Sequence, residues 1–191
     1  MIHAPSKKDK ARLKVLEWPL PRQLLPWLRW ERGLRTVILP ADVGKAWWYL
    51  KTHQGYKKEK IPKDGRRFAE TSHYHPDYNL LVLTQKALWS KRASEIFMHE
   101  VGHAVDFLYD VDNGHCLSSY AKIVDYLCMD KPLDSYCEKK YKETGRAIEQ
   151  FATAFAAYFT EPEANSSSKS VDDLSESFIA FCNRYFMEAF K

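Results

Sequence analysis

The sequence predicts an α+β fold in which a small sheet supports a largely helical C-terminal half. Three patterns carry that expectation. Thr36-Val-Ile-Leu39 and Asn79-Leu-Leu-Val-Leu-Thr84 are short and aliphatic, and the second is apolar without alternation, as in a strand buried on both faces. From Trp89 to Asp110, residues Ile96, Phe97, Val101, Ala104, Val105 and Leu108 recur at helical spacing. Glu149 to Thr160 repeats that spacing with Phe151, Ala152, Phe155, Ala156 and Phe159, and the chain after Ser170 does so with Leu174, Phe178, Phe181 and Tyr185.

The elements follow in order. Residues 1–17 are mostly polar and basic, with Leu13, Val15 and Leu16 the large apolar side chains after Ile2, and predict a mobile tail or a short helix. Trp18 to Trp30 holds three prolines, which break it into extended and short helical pieces, while its Trp and Leu content predicts packing onto the rest. Residues 1–35 thus read as an N-terminal arm and 36–191 as the domain proper. Pro40 closes the first strand, and Ala46 to Leu50 fits helix or strand. Between Lys51 and Arg67 seven Lys/Arg stand against Glu59 and Asp64, which reads as a solvated loop or as the border of a cleft that favours acidic ligands. Phe68 to His75 is read as extended, and Pro76-Asp77 as a turn. For the helix over 89–110, Ser90 is the expected cap and Asn113-Gly114 the expected end. Leu117 to Met129 predicts a helix stopped by Lys131-Pro132, and Thr144-Gly145 opens the next one, which ends before Pro162. Asn165 to Ser170 reads as a loop, and Ser170-Val-Asp-Asp173 as the cap of a last helix.

Composition bounds the class. With 191 residues, 45% of them hydrophobic and 14% aromatic, the chain can bury one sizeable core. No apolar run approaches the length of a membrane span. The first residues lack the apolar core of a secretory signal, so a cytoplasmic location, or exit by a route that needs no signal, is expected. Cys116, Cys128, Cys137 and Cys182 show no C-x-x-C and are expected as free thiols. A net charge of +4, with no long basic helix face, argues against a nucleic-acid partner.

One pentapeptide carries chemistry. His99-Glu100-Val101-Gly102-His103 reads H-E-x-x-H inside the apolar helix. Positions four apart share a helix face, so His99 and His103 project together and can grip one Zn2+. Glu100 then stands where a general base for the zinc-bound water belongs. The small Gly102 and Ala104 fit a helix buried tightly in a core. A catalytic zinc needs a third protein ligand, and the H-x-x-G-x-x-H continuation is absent because Tyr109 stands at its last position. Glu149, at the head of the Phe/Ala-rich helix, is the leading candidate; its alternative role is an exposed first-turn carboxylate on the helix dipole. Asp106, three residues after His103, either accepts the second ring N–H of a ligand histidine or caps a neighbouring loop.

H-E-V-G-H-A-V-D together with Tyr141-Lys-Glu-Thr-Gly-Arg-Ala-Ile-Glu149-Gln-Phe-Ala-Thr-Ala-Phe resembles the catalytic domain of anthrax toxin lethal factor and the related Pro-Pro endopeptidases, which are gluzincin-type zinc metallopeptidases. The resemblance spans about 36–191 and is most specific over 99–106 and 141–155. It implies a zincin-like domain with a small mixed sheet packed on the motif helix, His99, His103 and Glu149 as ligands of one catalytic zinc, Glu100 as general base, and Tyr141 as oxyanion donor. Tyr141 stands one residue further from Glu149 than the family spacing, which keeps Tyr136 as a rival, and Thr153 takes a place where a second acidic residue is usual. The resemblance also implies that the strand before the motif helix, 79–84, forms the edge on which an extended, Pro-containing protein or peptide substrate pairs.

The expected molecule is therefore a monomeric zinc endopeptidase. The rivals are a metal-binding interaction module without activity and a cytosolic regulatory protease for one partner. The stretch Lys7-Lys8, Lys10, Arg12, Leu16, Trp18-Pro19-Leu20-Pro21 also looks like a substrate, which raises the possibility of a strap over the site.

Overall fold

The computed structural model describes residues 2–59, 66–128, 131–160 and 169–191. It is an α+β fold, mostly helical, around one small mixed sheet. The strands are β1 (Ile2–His3), β2 (Arg35–Leu39), β3 (His73–His75) and β4 (Leu80–Thr84). They lie in the order β1-β2-β4-β3, with β1, β2 and β4 parallel and β3 antiparallel to β4. The expectation that 79–84 forms a sheet edge is corrected here. β4 pairs on both sides, Val37 opposite Val82 and Tyr74 opposite Leu81, which is why it carries no polar side chain before Thr84.

The two-residue period of β4 divides the core. Leu80 and Val82 join Val37, Leu39, Tyr56 and Phe68 under helix α3 (Val43–His53), while Leu81 and Leu83 face the larger helical core. Ala46 and Leu50 pack inward from α3, and Asp42 caps it, which resolves 46–50 as helix. Only 54–59 and 66–67 of the basic stretch after it are described, and both are irregular.

Of the two readings of residues 1–17 the short helix holds, and it is packed on the core rather than strapped over the site. Ser6 caps α1 (Lys7–Glu17) through Asp9 N–H, and Leu13 and Leu16 are buried. Asp9 points inward, where Ser6, Gln85 and Trp89 all donate to its carboxylate. Leu24, Leu25 and Leu28 of α2 (Leu24–Trp30) join the same core as Phe151 and Phe186. The N-terminal leucines thus share one buried cluster with the helical half.

The central layer is a helix pair. α4 (Gln85–Leu88) leads into α5 (Ala93–Leu108), which packs along α8 (Ile148–Phe159). α5 starts after Arg92, without a side-chain cap, because Ser90 instead donates to the carbonyl of Ala87. Gly114 closes the 3-10 turn 111–113 beyond the helix. The expected helix over 117–129 is split into a 3-10 turn and α6 (Ala121–Tyr126), and Met129 lies outside the described residues. α7 (Ser135–Thr144) has no counterpart in the sequence reading: it is polar, with only Cys137 buried. Gly145, at φ 66°, ends α7 rather than opening α8. Pro162 and most of the 165–170 loop lie outside the described residues. Ser170 and Asp173 form a reciprocal cap on a 3-10 turn, and Ser175 caps α9 (Glu176–Cys182), which continues as a π-helical turn, Asn183–Glu188. All four cysteines are free thiols. No helix among the described residues is long and apolar enough to cross a membrane.

Where α5 meets α8, the backbones touch. A Cβ on Gly102 would stand 2.9 Å from Ala152 Cα, 3.1 Å from Phe155 Cβ and 3.2 Å from Ala152 O. Two of those atoms are backbone and cannot turn aside. Gly102→Ala is therefore expected to destabilise the fold by roughly 1–3 kcal/mol through overpacking, more than the gain of about 1 kcal/mol alanine brings to a helix interior. Urea denaturation measures the sign, and a variant as stable as the parent would contradict the close contact.

Candidate metal centre

α5 and α8 bring three donor side chains to one point. His99 and His103, one helical turn apart, have perpendicular rings with centroids 4.7 Å apart and Nε2 atoms 3.1 Å apart. Glu149, in the first turn of α8, places Oε2 3.4 Å from His99 Nε2 and 3.5 Å from His103 Nε2. Bonds of about 2.0–2.1 Å in a tetrahedral zinc site put neighbouring donors about 3.3 Å apart. The three separations lie on either side of that value, and the donor set, two imidazoles and one carboxylate, suits zinc. Glu149 thus belongs to the cluster and is not a solvent-facing first-turn carboxylate.

The side chains at this point are strongly coupled to one another. Burial works to raise the Glu149 pKa, but hydrogen bonds and charge from His103 and His99 outweigh it and hold the carboxyl well below the usual range. Burial works to lower the His103 pKa, yet Glu149, then Glu100 and Asp106, more than reverse it. For Glu100 burial dominates and raises the pKa, with Glu149 adding to it, against the pull of His103, His99 and a backbone N–H. That N–H belongs to Tyr74 of the edge strand β3 and donates to Glu100 Oε2 at 2.8 Å, fixing a carboxylate that is 8% exposed.

Asp106 takes the loop-capping role. Its Oδ1 accepts from Ser118 N–H at 2.6 Å and its Oδ2 from Ser118 O–H at 2.8 Å. Among the described residues no hydrogen bond joins it to an imidazole, so it acts on His103 through charge alone. Burial raises its own pKa to about 6 against the two hydrogen bonds from Ser118.

Two cavities share His99, Glu100 and Tyr136. One, of about 470 Å³, continues past Glu149 and His103 to Tyr74, Ser72 and Arg66; the other, of about 530 Å³, runs over Ile96, Ala156 and Ala157 toward Arg92 and Lys169. The edge of the sheet at this cleft is β3, not β4. Tyr136 stands on the wall of both cavities, whereas Tyr141 is half-buried against the main core and lines neither. Of Tyr136 and Tyr141, Tyr136 is the one that α7 turns to the cleft, together with Ser135. Thr153, one turn after Glu149, borders the second cavity, and its Oγ1 lies 3.5 Å from Cys137 Sγ. Sequence reasoning missed the Tyr74 N–H, a backbone group with no signature, and Arg92 and Lys169, which read as ordinary surface charges.

The geometry sets expectations for metal content. The wild type is expected to retain one zinc per chain on elemental analysis after dialysis, and Glu149→Ala to lose it. Retention of stoichiometric zinc by that variant would remove Glu149 from the site. Protons compete with a metal for the imidazoles, and His103 holds its proton to a higher pH than an ordinary histidine. Zinc affinity should therefore fall as pH drops through the histidine range, by up to about tenfold per pH unit for each proton displaced. Competition titration against a chelator between neutral and mildly acidic pH measures this, and a flat profile would exclude histidine ligation.

No protein-family model matches the chain, and no curated protein matches it.

Proposed function

We propose that this protein is a zinc-dependent endopeptidase with a zincin-like domain of the gluzincin kind, as the resemblance of its 99–106 and 141–155 segments to the lethal factor and Pro-Pro endopeptidase group implies. The convergence of His99, His103 and Glu149 from two helices onto one point carries the reading. A second observation supports cleavage within a chain: cavities extend to both sides of the three donors, leaving room for residues before and after the scissile bond.

His99, His103 and Glu149 would hold the ion. When bound, zinc supplies a Lewis acid for the scissile carbonyl and a lowered pKa for the attacking water. Glu100 takes the proton from that water and returns it to the leaving amine. Its burial makes it a stronger base than a solvated carboxylate, and the Tyr74 N–H holds one oxygen still, so the side chain spends little entropy in reaching its geometry. Tyr136 offers its phenol O–H to the oxygen that becomes negative in the tetrahedral intermediate. The substrate is an extended protein or peptide segment.

Glu100→Gln should keep its zinc and lose roughly 10²–10⁴-fold in peptide hydrolysis. Full turnover in that variant would remove Glu100 as base. Tyr136→Phe should lower kcat by about 10²-fold with KM little changed, while Tyr141→Phe keeps wild-type kinetics; the reverse pattern would restore Tyr141 to the site. Zinc-loaded wild type that cleaves nothing in a diverse peptide library would favour the inactive metal-binding module.

A further inference from the structure

The outer face of α1 and the groove where it meets α2 have no role in the metal centre. Lys7, Lys8, Lys10, Ala11, Lys14, Val15 and Trp18 are all exposed and share one half of the helix circumference, opposite buried Asp9, Leu13 and Leu16. Trp18 is 86% exposed and Val15 60%. The acidic residues of this segment do not neutralise the face: Asp9 is turned inward, and Glu17 is tied to Arg29 at 2.5 Å. Lys7, Lys8, Lys10, Lys14 and Arg22 form no salt bridge among the described residues. Beside them a groove of about 570 Å³ is lined by Trp18, Lys14 and Arg22, by the Glu17–Arg29 pair, and by Leu20 and Leu25, which are already buried, so Trp18 supplies its exposed apolar surface.

We propose that this face docks on membranes that carry anionic phospholipid. The charge is complementary: five unpaired cations meet a negative surface, each worth roughly a fivefold gain in partition. The apolar part decides between partners. A nucleic acid or an acidic peptide engages the lysines but leaves Val15 and the Trp18 ring in water. The headgroup–acyl boundary takes both, with tryptophan at its preferred depth and cations at the phosphates. The protein attaches peripherally through α1 and the groove.

The test is co-sedimentation of the full chain with phosphatidylcholine vesicles, with and without phosphatidylserine, at low and moderate salt. Binding to the phosphatidylserine vesicles, none to phosphatidylcholine alone, and weakening with salt are expected. Lys7→Glu combined with Lys14→Glu should reduce partition by at least tenfold. Trp18→Ala should reduce it severalfold and abolish much of the lipid-induced blue shift of tryptophan fluorescence. Unchanged thermal melting and zinc content establish that these exposed substitutions leave the fold intact. Absence of binding at low salt, or equal binding by the charge-reversal variant, overturns the proposal. Retention on a single-stranded oligonucleotide or a polyglutamate column without vesicle binding reassigns the face to a polyanionic partner.

Discussion

The arrangement rests on the distance between two helices. Gly102 lets α5 sink onto Ala152 until backbone meets side-chain root, and His99, His103 and Glu149 flank that contact on the same two helices. A methyl group at position 102 pushes against the Ala152 backbone itself, and any relief moves Glu149 relative to the imidazoles. Donor separations near 3.3 Å allow little change before the third ligand is lost. Packing and donor geometry are thus one constraint: the small residues in V-G-H-A and E-Q-F-A bring the helices close, and that closeness gathers the polar residues beside them.

Charge inside the site is balanced by group rather than by pair. Glu100 and Glu149 are both acidic and both lie beside the His99–His103 pair, yet their pKa values move in opposite directions. The difference is burial against contact. Glu149 touches both rings, whereas Glu100 is more deeply enclosed and draws on a single backbone N–H. One carboxylate is thereby suited to remain a permanent anion and the other to accept and release a proton. Asp106 adds negative potential from the same helix while anchoring the 117–119 turn, so one loop contact also supports His103.

Most of the site was legible because helical spacing is a local code. His99 and His103 four apart, and Glu149 heading a Phe/Ala helix, required no knowledge of tertiary structure. What escaped depends on how separated segments meet. Tyr136 and Tyr141 lie on the same helix, and only the packing of α7 decides which faces the cleft; the resemblance pointed to Tyr141, with its spacing to Glu149 keeping Tyr136 as a rival. β3 is three residues long, too short for a periodic signal, yet it rather than β4 forms the edge and supplies the N–H to Glu100. α7 was unread because its solvated surface leaves Cys137 as its only buried side chain. The packing of 18–30 was legible from its Trp and Leu content, and a short helix was one of the two readings of 1–17; the basic setting hid only that Leu13 and Leu16 anchor that helix in the core.

Segments far apart in the sequence share one core. Phe190 O accepts from Gln23 N–H, its ring packs on Trp27, and Phe186 lies in the same cluster as Leu13. Vectorial synthesis delivers the N-terminal leucines long before their aromatic partners exist. Contacts between segments so far apart in sequence must close a long loop before they reward it, so this part of the core is expected to form late in folding.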